Sequence, residues 1–233
     1  MTFVTGDTHG EFMRIAYFCR RMKTSKDDIM IILGDAGINY SLNSRDKAVK
    51  EYLKKLPITF FCIHGNHEAR PAFIDTYKLI DWHGGKVYAE EEYPNILFAK
   101  DGEIYEFETE VGVQKCVVIG GAYSVDKWYR LRNGWEWFED EQPSDEIKQE
   151  VEAALEKNDW TVDIVLTHTC PIKYEPVEWF LSGLDQSTVD KSTEEWLGKI
   201  EEKLTYSKWY CGHYHGNKKI DKMQFMFESV DVL

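Results

Sequence analysis

The chain has no apolar run longer than about five or six residues, so no segment of it is expected to cross a bilayer as a helix. It has no basic excess. Acidic side chains number 41 against 28 basic ones, and the formal charge is −13. A field of that sign repels nucleic acid and anionic membrane over most of the surface. Neither is therefore an expected partner. There is no Cys-x-x-Cys pair, and the five cysteines (Cys19, Cys62, Cys116, Cys170 and Cys211) are odd in number. Cys62 and Cys116 lie inside apolar, strand-like runs. Buried free thiols in a reducing compartment are expected, and with them a cytoplasmic location. There is no basic, apolar leader either: Thr2 to Thr5 reads directly as a strand, so no signal peptide is expected. No repeat, low-complexity tract or linker interrupts residues 1–233, which are read as a single domain.

What is present is enough apolar matter for a sizeable core, 43% hydrophobic and 14% aromatic. Strand candidates are 2–6, 29–33, 58–63, 96–99, 116–120, 162–167, 207–211 and 224–228. Apolar residues at helical spacing mark 11–22 and 45–55. A Pro143-Ser144 start followed by early acids marks a helix over 143–158, and Asp190 or Ser192 caps another over 190–204. The β-α-β-α opening predicts crossover units buried on both faces. Region 86–120 has turns and no helical pattern, so antiparallel hairpins are expected there. The fold class is therefore α/β, mixed sheets with helices outside.

Short polar motifs recur at the ends of the apolar runs. They are Asp7-Thr8-His9, Gly34-Asp35, Gly65-Asn66-His67, Thr167-His168 and Gly212-His213-Tyr214-His215. Carboxylate, imidazole and amide oxygen are hard-to-borderline ligands for divalent metals. Singly, each motif reads equally well as a turn, a cap or a core histidine. Five in order, each after a strand, are not a chance set, and so many ligands suit two ions sharing a carboxylate better than one. His64, continuing a strand, and His83, in the turn Trp82-His83-Gly84-Gly85, read as structural.

The ordered set Gly-Asp-x-His-Gly, Gly-Asp, Gly-Asn-His-Glu, His, Gly-His-x-His resembles the calcineurin-like metallophosphoesterase superfamily, from Asp7 to His215. The resemblance implies two mixed β-sheets packed as a sandwich and flanked by helices. It implies that Asp7, His9 and His215 hold a first metal, that Asp35 bridges, and that Asn66, His168 and His213 hold a second. His67 is the catalytic histidine in that pattern and binds no metal. The ions would be divalent transition metals (Mn, Fe, Zn, Ni or Co). With Asp7 and Asp35 as the only charged ligands, such a site keeps about two positive charges, which attract an anionic phosphoester. The implied reaction is attack of a metal-bound hydroxide on a phosphate mono- or diester, with His67 protonating the leaving oxygen. Glu68 reads equally as the orienting partner of a neighbouring imidazole or as an acid at a helix N-terminus. The alternative is a metal-binding scaffold or interaction protein of the same fold without turnover. A lactamase-type metallohydrolase is excluded, because its His-x-His-x-Asp-His spacing is absent.

One departure bears on substrate. After Gly34-Asp35 the sequence runs Ala36-Gly37-Ile38-Asn39, without the further Asp and Arg of phosphoprotein phosphatases. No arginine of that motif can grip phosphate. Two aromatic-rich segments, about 122–142 and 170–189, follow motif-bearing strands and show no regular pattern. Both are expected to form a lip. In the first, Tyr123, Trp128, Tyr129, Trp135 and Trp137 would shape the pocket, and Arg130 is the candidate substrate contact.

Overall fold

A computed structural model describes residues 1–233. Its strands are β1 (Thr2–Thr5), β2 (Ile29–Ile32), β3 (Thr59–Cys62), β4 (Lys78–Trp82), β5 (Gly85–Ala89), β6 (Ile96–Ala99), β7 (Ile104–Thr109), β8 (Gly112–Ile119), β9 (Ile164–Thr167), β10 (Lys208–Cys211), β11 (Lys218–Ile220), β12 (Met223–Phe225) and β13 (Val230–Val232). Its helices are α1 (Met13–Met22), α2 (Ser44–Leu53), α3 (Lys127–Asn133), α4 (Asp145–Lys157) and α5 (Ser192–Lys203).

The strands form two mixed sheets. One has the order β13-β1-β2-β3-β6-β5-β4, the other β11-β12-β10-β9-β8-β7. In the first, β1, β2, β3 and β6 run parallel. In the second, β8, β9, β10 and β12 do. The remaining strands are antiparallel additions at the margins.

Strand alternation builds three apolar layers. Val4, Ile31 and Phe61 point between the sheets, where they meet Val118, Leu166 and Tyr210. Phe3, Met30, Ile32 and Phe60 point outward onto Ile15 and Cys19 of α1 and Leu53 of α2. Val117, Val165 and Trp209 point the other way onto Val151 of α4 and Trp196 and Ile200 of α5. The result is helices, sheet, sheet, helices, as the motif resemblance implies. All five cysteines are buried and unpaired. No helix is long and apolar enough to cross a membrane.

The hairpins expected in 86–120 are present as β7–β8, and β5 pairs both β4 and β6. Ser144 caps α4 by accepting from the Ile147 N–H. At α5 neither Asp190 nor Ser192 is the cap residue. Lys191 occupies that position, and the Asp190 carboxylate accepts from the Ser192 N–H one step outside it. The segment 122–142 is not wholly irregular, because α3 lies within it. Its seven residues leave Trp128, Tyr129 and Leu131 exposed, so no buried apolar stripe marks it in the sequence. It is held instead by polar bonds, chiefly Arg130 Nε to Asp126 Oδ2 at 2.8 Å. The segment 170–189 consists of short 3₁₀ turns at Ile172–Tyr174, Val177–Trp179 and Gln186–Thr188.

Candidate metal centre

Parallel strands from both sheets end on one edge of the sandwich, the usual place for a site in open α/β sheets. Asp7 and His9 follow β1, Asp35 follows β2, and Asn66 and His67 follow β3. From the second sheet, His168 follows β9, and His213 and His215 follow β10. All seven predicted ligands and His67 are brought together. His215 Nε2 lies 2.8 Å from His9 Nε2 and 3.2 Å from Asp7 Oδ2. His168 Nε2 and His213 Nδ1 lie 2.8 and 3.1 Å from Asn66 Oδ1. Asp35 stands between the two groups, Oδ1 at 3.8 Å from His168 and Oδ2 at 3.9 Å from His9.

These spacings fit a metal. Ligand nitrogens about 2.0–2.1 Å from one tetrahedral ion lie a little over 3 Å apart. Asp7 Oδ2 is buried, has no hydrogen-bond donor and faces imidazoles. An orphaned buried carboxylate oxygen is costly unless a cation completes it. Asp7, His9 and His215 offer one such set, and Asp7, Asp35 and His168 another.

The backbone is strained where it presents these groups. His9, Asp35, His213 and His215 all adopt the left-handed conformation, with φ between 46° and 66°. That geometry is costly for non-glycine residues, and it clusters at functional sites. Gly34 takes φ +94°, and a Cβ there would come within 2.1 Å of His168 Nδ1, so the motif glycine is a packing requirement. His168 Nδ1 lies 2.7 Å from the Leu33 carbonyl and donates to it, which leaves Nε2 free as a ligand. Asn66 donates Nδ2 to Ser124 Oγ at 2.8 Å, which turns its amide oxygen toward the histidines.

Burial works to raise Asp7, but the nearby His215, His168 and His9 imidazoles outweigh it, and Asp7 stays ionised. Asp35 is lowered in the same way, burial being outweighed by His168 and His67. Burial pushes His213 down to about 3 and also lowers His9, so both are neutral imidazoles at ordinary pH, the form that binds metal.

His67 sits against α3. Arg130 is buried and donates from Nη2 to His67 Nδ1 at 3.1 Å. Asp35 Oδ2 lies 3.3 Å from the same Nδ1, so that nitrogen stands between a guanidinium and a carboxylate. Asp126 Oδ1 lies 3.4 Å from His67 Nε2. Asp126 itself is held ionised, burial being outweighed by His67 and Arg130. Its proximity to His67 is visible only in three dimensions.

Glu68 does not orient an imidazole. It is fully buried, accepts from the Gly65 N–H at 3.0 Å and lies against the backbone N–H groups of Ala36 and Gly37. It thus ties the loop after β2 to the loop after β3. Burial, with Asp35 nearby, pushes its carboxyl up from 4.5 to about 8. Between those values the folded protein holds a proton that the unfolded chain has released. Stability of the metal-free protein should therefore fall as pH rises through that window. Glu68→Gln should flatten the slope; equal slopes in thermal melts of both proteins would show that Glu68 is ionised throughout.

His64 is buried, and His83 sits in its turn with Nδ1 at 2.9 Å from the Glu106 carbonyl and its ring against Trp82. Neither is among the clustered donors. The expected aromatic wall is largely displaced. Trp128, Tyr129 and Trp135 are more than half exposed, and of that group Tyr123 alone lines the cavity beside the donors. The wall comes from the second segment, through Trp179 and Phe180.

A mixed-sheet sandwich with carboxylates, an amide and imidazoles at its strand ends is a metallohydrolase architecture. The sequence profile described as calcineurin-like phosphoesterase matches residues 2–232, and the chain belongs to that family. The family implies metal-dependent hydrolysis of phosphoesters. Among solved structures, TT1561 of Thermus thermophilus is similar with TM-score 0.53 and 13% identity, over 97% of this chain and 87% of that one. A second solved structure is similar with TM-score 0.50 and 13% identity, over 97% and 88%. Both likenesses concern the fold. None of the curated proteins matches the sequence significantly.

Proposed function

We propose that the protein is a dinuclear metal-dependent phosphoesterase acting on phosphate mono- or diesters. Asp7, His9 and His215 would hold one divalent ion, Asn66, His168 and His213 the other, and Asp35 would serve both. The observation that carries this reading is the convergence of seven donors from five strand ends around a buried, partnerless carboxylate oxygen. The ligand chemistry suits Mn, Fe, Zn, Ni or Co. When bound, the ions would supply an activated water and neutralise phosphoryl oxygens.

The chain's own residues do the rest. His67 presents Nε2 outward, while Arg130 Nη2 and Asp35 Oδ2 hold the ring at Nδ1. Protonated His67 gives its Nε2 proton to the leaving oxygen as the phosphorus–oxygen bond breaks, and the ring is left neutral. Asp126 faces that nitrogen and, with Asp35 at Nδ1, stabilises the protonated ring. The α3 segment thus supplies a carboxylate and a guanidinium that the second motif lacks.

The test is metal analysis of the pure protein combined with turnover of mono-, di- and pyrophosphate esters. Two equivalents of metal with no turnover of any ester would leave the scaffold reading instead. Arg130→Ala should keep its metal. It should lower kcat on a phosphomonoester on the order of ten- to a hundredfold, as expected when a reacting group is misplaced. KM should rise several-fold, because Arg130 also lines the second groove beside His67 and His9. The melting temperature should drop as the half-buried pair with Asp126 is lost. Wild-type kcat and KM on every ester would make Arg130 purely structural.

A further inference from the structure

The donor cluster opens on one flank into a cavity of about 270 Å³, near the lower end of small-molecule sites. Asp35, Asn66, His67, His213 and His215 form one wall. The opposite wall is apolar and aromatic, with Trp179, Phe180, Leu184, Val189 and Tyr214. Phe180 and Tyr214 present near-parallel rings, 19° apart in plane with centroids 6.5 Å apart. No lysine or arginine lines this space. The neighbouring cation, Lys191, is paired with Glu175 at 2.7 Å and sits over the Phe180 ring, 5.0 Å from its centroid.

Glu194 also lines the cavity, and its state is unusual. It is 4% exposed. One carboxyl oxygen accepts from Thr169 Oγ1 at 2.7 Å, and the other is buried with no partner. A buried acceptor left open costs free energy that a ligand donor would recover. Burial also pushes Glu194 up to about 7, so it is only partly charged near neutral pH.

We propose that this cavity holds the organic group of the substrate, and that this group is a flat, uncharged nitrogen heterocycle whose N–H donor meets Glu194, as in a nucleoside monophosphate. The inference rests on the phosphoesterase reading, which puts the phosphate at the donor cluster. Three features support it together. Aromatic faces favour a flat ring. The absence of free cations, with Glu175 and Asp126 alongside, disfavours a second phosphate. The small volume disfavours a polypeptide.

The metal-loaded protein is assayed on adenosine 5′-monophosphate, purine riboside 5′-monophosphate (which lacks the exocyclic amine), glycerol 2-phosphate and adenosine triphosphate. Binding of adenosine is measured separately by calorimetry. Adenosine monophosphate should exceed glycerol phosphate in kcat/KM by about ten- to a hundredfold, the scale of base stacking on aromatic side chains. Phe180→Ala should collapse that ratio, and Glu194→Gln should erase the preference over purine riboside phosphate. Because Glu194 is buried, Phe180→Ala, with its partly exposed ring, is the decisive variant if the other fails to fold. Equal kcat/KM for glycerol phosphate, or faster turnover of the triphosphate, overturns the inference and leaves the phosphoesterase reading standing. Adenosine binding that Phe180→Ala abolishes, without turnover of any ester, keeps the heterocycle pocket and removes the phosphoesterase reading. Neither binding nor turnover removes both.

Discussion

Asp35→Asn is expected to lose most bound metal and nearly all activity while the chain stays folded. Asp35 is 2% exposed and lies within 4 Å of His168, His9 and His67, so its two oxygens face both donor groups. In the two-metal reading it would bridge the ions and offset the mutual repulsion of two dications. Losing one negative charge between them removes several kcal/mol of stabilisation, so kcat/KM should fall about a thousandfold or more. Folding should survive, because asparagine keeps an oxygen to accept the His67 N–H now bonded to Asp35 Oδ1 at 2.8 Å. The metal-free variant also escapes the repulsion between two buried carboxylates, since Asp7 acts to raise Asp35. Near-normal metal content with near-normal turnover would sink the two-metal reading.

His67→Asn should separate chemistry from metal binding. His67 is outside both proposed ligand sets, so metal content should persist. Loss of the proton donor should cost about 10²–10⁴ in kcat. The cost should shrink for a nitrophenolate leaving group, which departs without protonation, and stay large for an alkoxide. Asp126→Asn should show a smaller loss with the same leaving-group dependence, because Asp126 acts through the His67 ring. An equal loss on both leaving groups would remove His67 as the acid and Asp126 as its partner.

Motif residues were the most legible part of the site. Asp7, His9, Asp35, Asn66, His168, His213 and His215 each stand directly after an apolar run, and a strand end is a position that sequence order specifies. The four helices with apolar spacing were legible for the same reason: each packs a stripe against a sheet face. β4 and β13 were not. β4 is almost wholly exposed and β13 has three residues, so neither carries an alternating buried face. Asp126, Ser124, Glu194 and Phe180 were equally hidden. They reach the site from segments whose conformation depends on side-chain bonds between distant residues, such as Arg130 to Tyr40 or Thr169 to Glu194.

The sequence alone determined the α/β class, the family and the identities of the polar side chains that gather at the strand ends. Strand periodicity and motif order are local properties, written in consecutive residues. Only the tertiary structure decided which groups surround those side chains. It turned Glu68 from an imidazole partner into a clamp between two loops, seated Arg130 against His67, and moved the aromatic wall from 123–137 to Trp179 and Phe180. Those outcomes follow from burial and from pairings across the two sheets, where the cost of an unsatisfied polar group selects partners far apart in the chain.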